Sequence, residues 1–296
     1  MTTTVDAGSE ESLRRLELLV TRKLDGLLQG DHQGIVPGGG TDAGEGRVYQ
    51  PGDDVRRIDW NLTARSTVTS VLDTVADREL ETWLVVDGSA SLDFGTADCS
   101  KRDLAQAAAA AFGFLTCRAG NRLGAVVYGP EGAAVLPPRT GREAVLRLLR
   151  RLGRRPPAPE GPASLAAALR RVRLVARRRG LVVVVSDLLD DDDWPGQLRA
   201  VAARHEVVVV QVGDPREAEL PPVGYLTVVD PETGERHEVQ TANRRLRERF
   251  AAAAADQRAG AARAVRAAGA GHLELSTGRD WLLDVVRFTV ARRKRR

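Results

Sequence analysis

Cysteine is almost missing from this 296-residue chain, with Cys99 and Cys117 the only two. Their separation matches no metal-ligand or redox spacing, so a disulfide scaffold and a zinc site are both excluded, and a reducing, cytoplasmic setting is expected. Long hydrophobic runs are missing too. The candidates rich in large aliphatic residues, Leu181–Val185 and Val207–Val210, have the length of strands, far below the ~18–20 residues of a membrane span. The opening MTTTVDAGSEES is polar and acidic, unlike a secretory signal. No integral membrane segment is expected. Lysine is scarce as well: of 44 basic residues only Lys23, Lys101 and Lys294 are lysine. Alongside the alanine runs, this arginine excess reads as the codon bias of a high-GC genome. A nucleic-acid partner is not expected, because 40 acidic residues nearly balance the basic ones and aromatic side chains make up only 4% of the chain, leaving few stacking platforms. The four histidines (His32, His205, His237, His272) show no ligand spacing. No Ser-His-Asp set, P-loop or G-x-G-x-x-G stands in the sequence.

What is present is an apolar fraction of 43%, enough for a sizeable core. Residues 10–29 carry Leu13, Leu16, Leu19, Val20, Leu24 and Leu27 at helical spacing, which predicts an amphipathic helix. Residues 30–50 are glycine-rich. From Arg47 to Ser70, apolar and charged residues alternate around Pro51-Gly52-Asp53-Asp54, predicting short strands on either side of a turn. Beyond about residue 79 strands and helices alternate. Strands are expected at 82–87, 122–128, 133–136, 181–186, 206–212 and 271–275, with helices at 100–119, 140–152, 164–179, 194–203, 242–268 and 279–291. A second hairpin, 224–229 with 236–240, turns through Asp230-Pro231-Glu232-Thr233-Gly234. This rhythm predicts an α/β fold, a mostly parallel sheet with helices on both faces, preceded by a small β-rich module. The expected divisions are 1–29, 30–78 and 79–296.

Asp87-Gly88-Ser89-Ala90-Ser91 follows the apolar strand Trp83-Leu84-Val85-Val86. This D-x-S-x-S turn sets one carboxylate and two hydroxyls at a strand's C-terminal end, where open α/β sheets place their ligands. Such oxygens suit Mg²⁺ and are too few to enclose it. A second strand exit, Val185-Ser186-Asp187, supplies another carboxylate. The plain alternative is that Asp and Ser satisfy turn amides and cap the next segment.

Leu84–Ser91 with Ser186-Asp187 resembles the metal-ion-dependent adhesion site of von Willebrand factor A domains. The resemblance implies a Mg²⁺ site built from Asp87, Ser89, Ser91 and Asp187, with a threonine from a later loop. The matching segment is Gly161-Pro162-Ala163-Ser164-Leu165. Aligned without a gap it puts Ala163, which has no side-chain oxygen, at that position; shifted by one residue it offers Ser164. A longer match, Gly46-Arg47-Val48-Tyr49-Gln50-Pro51-Gly52-Asp53-Asp54-Val55-Arg56-Arg57-Ile58-Asp59-Trp60 with Thr63-Ala64-Arg65, resembles the signature of the bacterial domain of unknown function fifty-eight family. So do Val229–Gly234 and Thr241–Arg249. In the signature, Ile58 and Trp60 are expected to face a core, with Arg56, Arg57, Asp59 and Arg65 outward or paired. The outward arginines would otherwise offer planar forks to a phosphate or an acidic partner.

The family resemblance implies a non-enzymatic protein-interaction module, with a MoxR-type AAA ATPase as partner in protein assembly or maturation. Two other functions stay open. One is a metal-dependent hydrolase or phosphotransferase with Asp87 as nucleophile, although no lysine stands near either strand exit in the sequence. The other is a nucleic-acid-binding protein using Arg56, Arg57, Arg65 and Arg177–Arg179. The run Asp190–Asp193 reads as a solvated, helix-capping loop.

Overall fold

The computed structural model describes residues 18, 20, 46–50, 55, 58–66, 68–72, 81–117, 121–154, 163–190 and 192–294. The expected helix at 10–29 lies outside the described residues except for Leu18 and Val20, both helical.

Two short strands, β1 (Gly46–Val48) and β2 (Ser70–Leu72), pair antiparallel. Between them Ile58 makes a single bridge to Val71, and Trp60–Ser66 forms a helix, α1. Among the described residues, the strand expected after Pro51–Asp54 is represented by that bridge. Asp59 explains the helix, since its Oδ1 accepts from Asn61 N at 2.9 Å, a local bond that favours a helix start over a ladder. Trp60 is 70% exposed and does not face a core.

The main sheet has six strands: β3 (Glu81–Asp87), β4 (Arg122–Gly129), β5 (Gly132–Thr140), β6 (Gly180–Ser186), β7 (Glu206–Gly213) and β10 (Gly271–Ser276). Their spatial order is β10-β7-β6-β3-β4-β5. All pairings are parallel except the β4–β5 hairpin at one edge. Pro137 and Pro138 sit where that hairpin shifts register, opposite Gly124. Arg147 donates to the Pro137 carbonyl and Arg122 to that of Pro138.

Strand periodicity sends alternate side chains to opposite faces. Leu84 and Val86 face one core with Val183, Val185, Val208 and Val210. Trp83 and Val85 face the other with Val182, Val184, Val207 and Val209. Among the described residues, α2 (Lys101–Cys117), α3 (Arg142–Leu152) and α7 (Trp281–Lys294) cover the first face, and the helical residue Val20 is buried in the same core. The second face is covered by α4 (Leu165–Val175), α5 (Trp194–Ala202) and the C-terminal half of α6 (Arg244–Ala267). Burial on both faces is what a continuous valine run needs. Close approach also matters, because a Cβ on Gly180 would collide with the Glu81 carbonyl of β3. This is the α/β architecture expected, with a mostly parallel sheet between helices. The remaining hairpin, β8 (Tyr225–Val229) with β9 (Arg236–Gln240), forms a separate two-stranded sheet.

From β3 the chain runs outward through β4 and β5, then returns to the other side for β6, β7 and β10. The order therefore reverses between β3 and β6, the crevice where doubly wound sheets bind ligands. Asp214, at the end of β7, fixes the neighbouring strand exits. Its carboxylate accepts from Thr96 N (2.8 Å), Thr96 Oγ1 (2.6 Å), Thr277 Oγ1 (2.6 Å) and Arg216 N (2.8 Å). Burial alone would raise its pKa, but these bonds outweigh burial and hold it below the ordinary carboxylate value. Asp214→Asn is expected to cost about 1.5–3 kcal/mol at neutral pH, the range of hydrogen bonds to a charged group. A carboxylate with a depressed native pKa stabilises fully above its unfolded value of ~3.9 and loses that contribution as pH falls through the native value. Urea unfolding of both proteins should therefore show a gap near pH 7 that closes in acid. A gap independent of pH would contradict this role for the charge.

Candidate functional site at the sheet's switch point

The D-x-S-x-S turn is held by its own bonds. Asp87 Oδ1 accepts from Ser89 N at 2.8 Å, and Ala90–Asp93 forms a 3-10 turn that carries Ser91 back over the strand end. Gly88 fits because its N–H donates to the Tyr128 carbonyl at 2.7 Å, a contact that a Cβ would crowd. Asp87 is 3% exposed. Its Oδ2 accepts from Tyr128 Oη (2.9 Å) and Ser186 Oγ (3.0 Å), and Ser186 Oγ in turn accepts from Leu188 N. Burial first, then the nearby Asp187 charge, pushes Asp87 up to about 6 despite the Ser89 and Tyr128 bonds. The Tyr128 hydroxyl is itself driven well above its usual value by burial and by Asp87.

A second chain of bonds crosses from β3 to β6. Ser89 Oγ and Ser91 Oγ are 2.9 Å apart, and Ser91 Oγ donates to Asp187 Oδ2 at 2.9 Å. On the far side of Asp187 lies Lys101, the first residue of α2, with 1% exposure. Its Nζ donates to Asp187 Oδ2 at 2.7 Å and also to Glu217 Oε1. Burial lowers an ammonium's pKa, yet the two carboxylates more than offset that and raise it. Lys101 is therefore charged. A lysine does stand at the strand exits, delivered by a helix that begins 14 residues after Asp87.

Four of the five residues expected to hold metal come together: Asp87, Ser89, Ser91 and Asp187. Ser164 does not join them. It caps α4, accepting from Ala167 N at 3.1 Å and donating to Asp192 Oδ2 at 2.7 Å. Asp192 also accepts from Ala166 N and Trp194 N, while Asp193 caps α5 through Gly196 N. This part of the acidic run is helix-capping, as expected; Asp191 lies outside the described residues. Asp190 differs. It is half-buried, and burial together with Asp87, Asp192 and other acids raises it to about 8.

These donors do not fit a resident Mg²⁺. The ion needs near-octahedral oxygens at about 2.0–2.1 Å. Here both oxygens of Asp87 and of Asp187 already accept protein donors, which leaves fewer lone pairs for an ion, and Asp187 Oδ2 serves both Ser91 and the Lys101 ammonium. Two unit charges 4 Å apart repel by about 4 kcal/mol at an effective dielectric near 20, and a divalent ion beside the ammonium doubles that.

Several site residues carried no signal of their own. Tyr128 and Glu217 arrive from β4 and from the turn after β7. Glu232, at the tip of the β8–β9 hairpin, accepts from Ser91 N at 3.1 Å. Asp230 shapes that tip by accepting from Glu232 N at 2.8 Å. Lys101 could have been singled out as one of three lysines at the head of an alanine-rich, buried helix. Beside Ser91 and Lys101 a groove of about 1460 Å³ opens between the hairpin and α6. Phe94, Leu189, Val228, Val229 and Phe250 line it, each 37–49% exposed. Tyr128→Phe removes one donor from the buried Asp87 and is expected to cost about 1.5–3 kcal/mol, read as a lowered urea midpoint. An unchanged midpoint would count against the Tyr128–Asp87 bond.

Comparison with known proteins places the chain. Solved structures that align with it do so distantly. Conserved hypothetical protein BatB from Bacteroides thetaiotaomicron is 14% identical, covers 73% of this chain and 99% of its own, and gives a TM-score of 0.47. The SpRpn10 VWA domain is 12% identical, with 70% and 93% coverage and a TM-score of 0.41. Sequence relatives are much nearer. Uncharacterized protein Rv1480 of Mycobacterium tuberculosis (strain ATCC 25618 / H37Rv) is 53% identical over 284 residues, 96% of this chain and 89% of that protein. Uncharacterized protein MAV169 of Mycobacterium avium is 45% identical over 160 residues, 54% of this chain and 94% of that protein. The model of "Protein of unknown function DUF58" matches residues 45–260, and the chain belongs to that family.

Proposed function

We propose that this chain is a non-enzymatic protein-interaction module whose contact surface is the C-terminal edge of the sheet, from the switch point into the adjoining groove. The observation that carries the reading is the groove. Exposed apolar grooves often mark interaction sites, and this one opens where α/β sheets bind their ligands. A MoxR-type AAA ATPase is the partner implied by the family resemblance, and assembly or maturation of other proteins is the corresponding process. Hydrolysis through Asp87 is disfavoured, because a nucleophile must reach its substrate and both Asp87 oxygens are buried under protein donors.

The reading is tested with the purified MoxR-type ATPase of the same host. Wild type should bind it, and Phe250→Asp or Leu189→Asp should weaken binding by about tenfold or more, equivalent to ~1.4 kcal/mol. Both side chains are partly exposed, so thermal midpoints should move little. Undiminished affinity in both variants would remove the groove as the contact surface.

A further inference from the structure

We propose that the resident cation of this switch point is the ammonium of Lys101, taking the place a divalent metal would hold, so that contacts made at this edge do not depend on metal. The inference rests on the edge being the contact surface only for its consequence, not for its chemistry. The ammonium is placed by rigid parts. Lys101 opens α2, whose start is fixed by Ser100, which accepts from Asp103 N while Asp103 Oδ2 accepts from Ser100 Oγ. The Lys101 backbone N–H donates to the Phe94 carbonyl at 2.9 Å.

The carboxylates that receive Nζ are equally constrained. Asp187 accepts from Ser91 Oγ and Leu189 N. Glu217 is held through its other oxygen, which accepts from Asp214 N at 3.0 Å in the capping box of the turn after β7. The ammonium thus joins the exits of β6 and β7 to the head of α2 within 1% of full burial, where an uncompensated charge would not persist. An ammonium supplies three donors; two are used by Asp187 and Glu217, and at 1% exposure the group is closed to an oxygen from a partner. A metal with an open position would accept one from a partner. A partner of this edge therefore makes contact by packing into the groove and by hydrogen bonds to protein groups, and does not need to supply a carboxylate to an ion.

The test uses Mn²⁺ alone as the probe, read by electron paramagnetic resonance on the full chain, since Mn²⁺ takes the same hard oxygen ligands as Mg²⁺. Wild type should bind no Mn²⁺ that Asp187→Asn abolishes. Lys101→Met, which frees Asp187 and Glu217 of their cation, should bind about one Mn²⁺ per chain. Lys101→Gln replaces the Met variant if circular dichroism shows that the latter is unfolded. Asp187-dependent Mn²⁺ binding by wild type overturns the proposal. Binding by neither wild type nor a folded Lys101 variant overturns it too, because the ammonium would then not be what holds the ion's place. ATPase binding in EDTA separates this inference from the functional reading. Binding lost in EDTA, with the ATPase's own nucleotide occupancy unchanged, refutes metal independence and leaves the contact surface standing. Binding untouched by Phe250→Asp and Leu189→Asp refutes the contact surface and leaves the Mn²⁺ result as it is.

Discussion

The buried pair between Lys101 and Asp187 is the interaction on which the functional edge depends. It joins the head of α2 to the end of β6, and Glu217 extends it to the turn after β7. Such a pair adds little net stability over a well-packed apolar replacement, yet removing one partner costs about 3–5 kcal/mol because the other charge is left buried and alone. Its contribution is therefore placement. Three elements from distant parts of the sequence are held so that Ser91, Asp187 and Glu217 keep one arrangement. The Asp214 network does the same for the outer exits of β7 and β10 through Thr96 and Thr277.

Around that pair the edge is asymmetric. Tyr128 from β4 and Ser186 from β6 close over the Asp87 carboxylate from either side and leave it 3% exposed. Toward the β8–β9 hairpin, Glu232 and the apolar groove leave the edge open. The two strand-exit carboxylates thus have different environments. Asp87 is pushed up by burial, and Asp187 is paired with a permanent cation. The first secures the turn, and the second orders the surface a partner would meet.

Most of the fold was legible from periodicity. The valine runs at 181–185 and 207–210 were readable as strands buried on both faces, and the termini of β6, β7, β8 and β9 fall within a residue or so of the expected bounds. The region around Trp60 was not legible, because a local Asp59 bond starts a helix where alternation pointed to a strand. The candidate site was half legible. Asp87, Ser89, Ser91 and Asp187 come from two short motifs at adjacent strand ends, which strand pairing brings together. Lys101, Glu217, Tyr128 and Glu232 reach the same place by tertiary packing, for which spacing along the chain gives no rule. Ser164 shows the opposite error. Its position matched, but the hydroxyl is used by the first turn of α4 and by Asp192.

The hairpin edge of the main sheet has a consequence for how this protein can meet others. Pro137 and Pro138 carry no N–H to offer an approaching strand, and their carbonyls are already occupied by Arg147 and Arg122. Edges left open in this way are templates for strand addition and for aggregation, and proline with a shifted register closes them. At β5 a foreign β-strand therefore finds a ladder interrupted at Pro137 and Pro138, and backbone pairing on that side cannot run the length of the strand. On that flank recognition falls to side chains, the same means the carboxyl-terminal edge of the sheet offers.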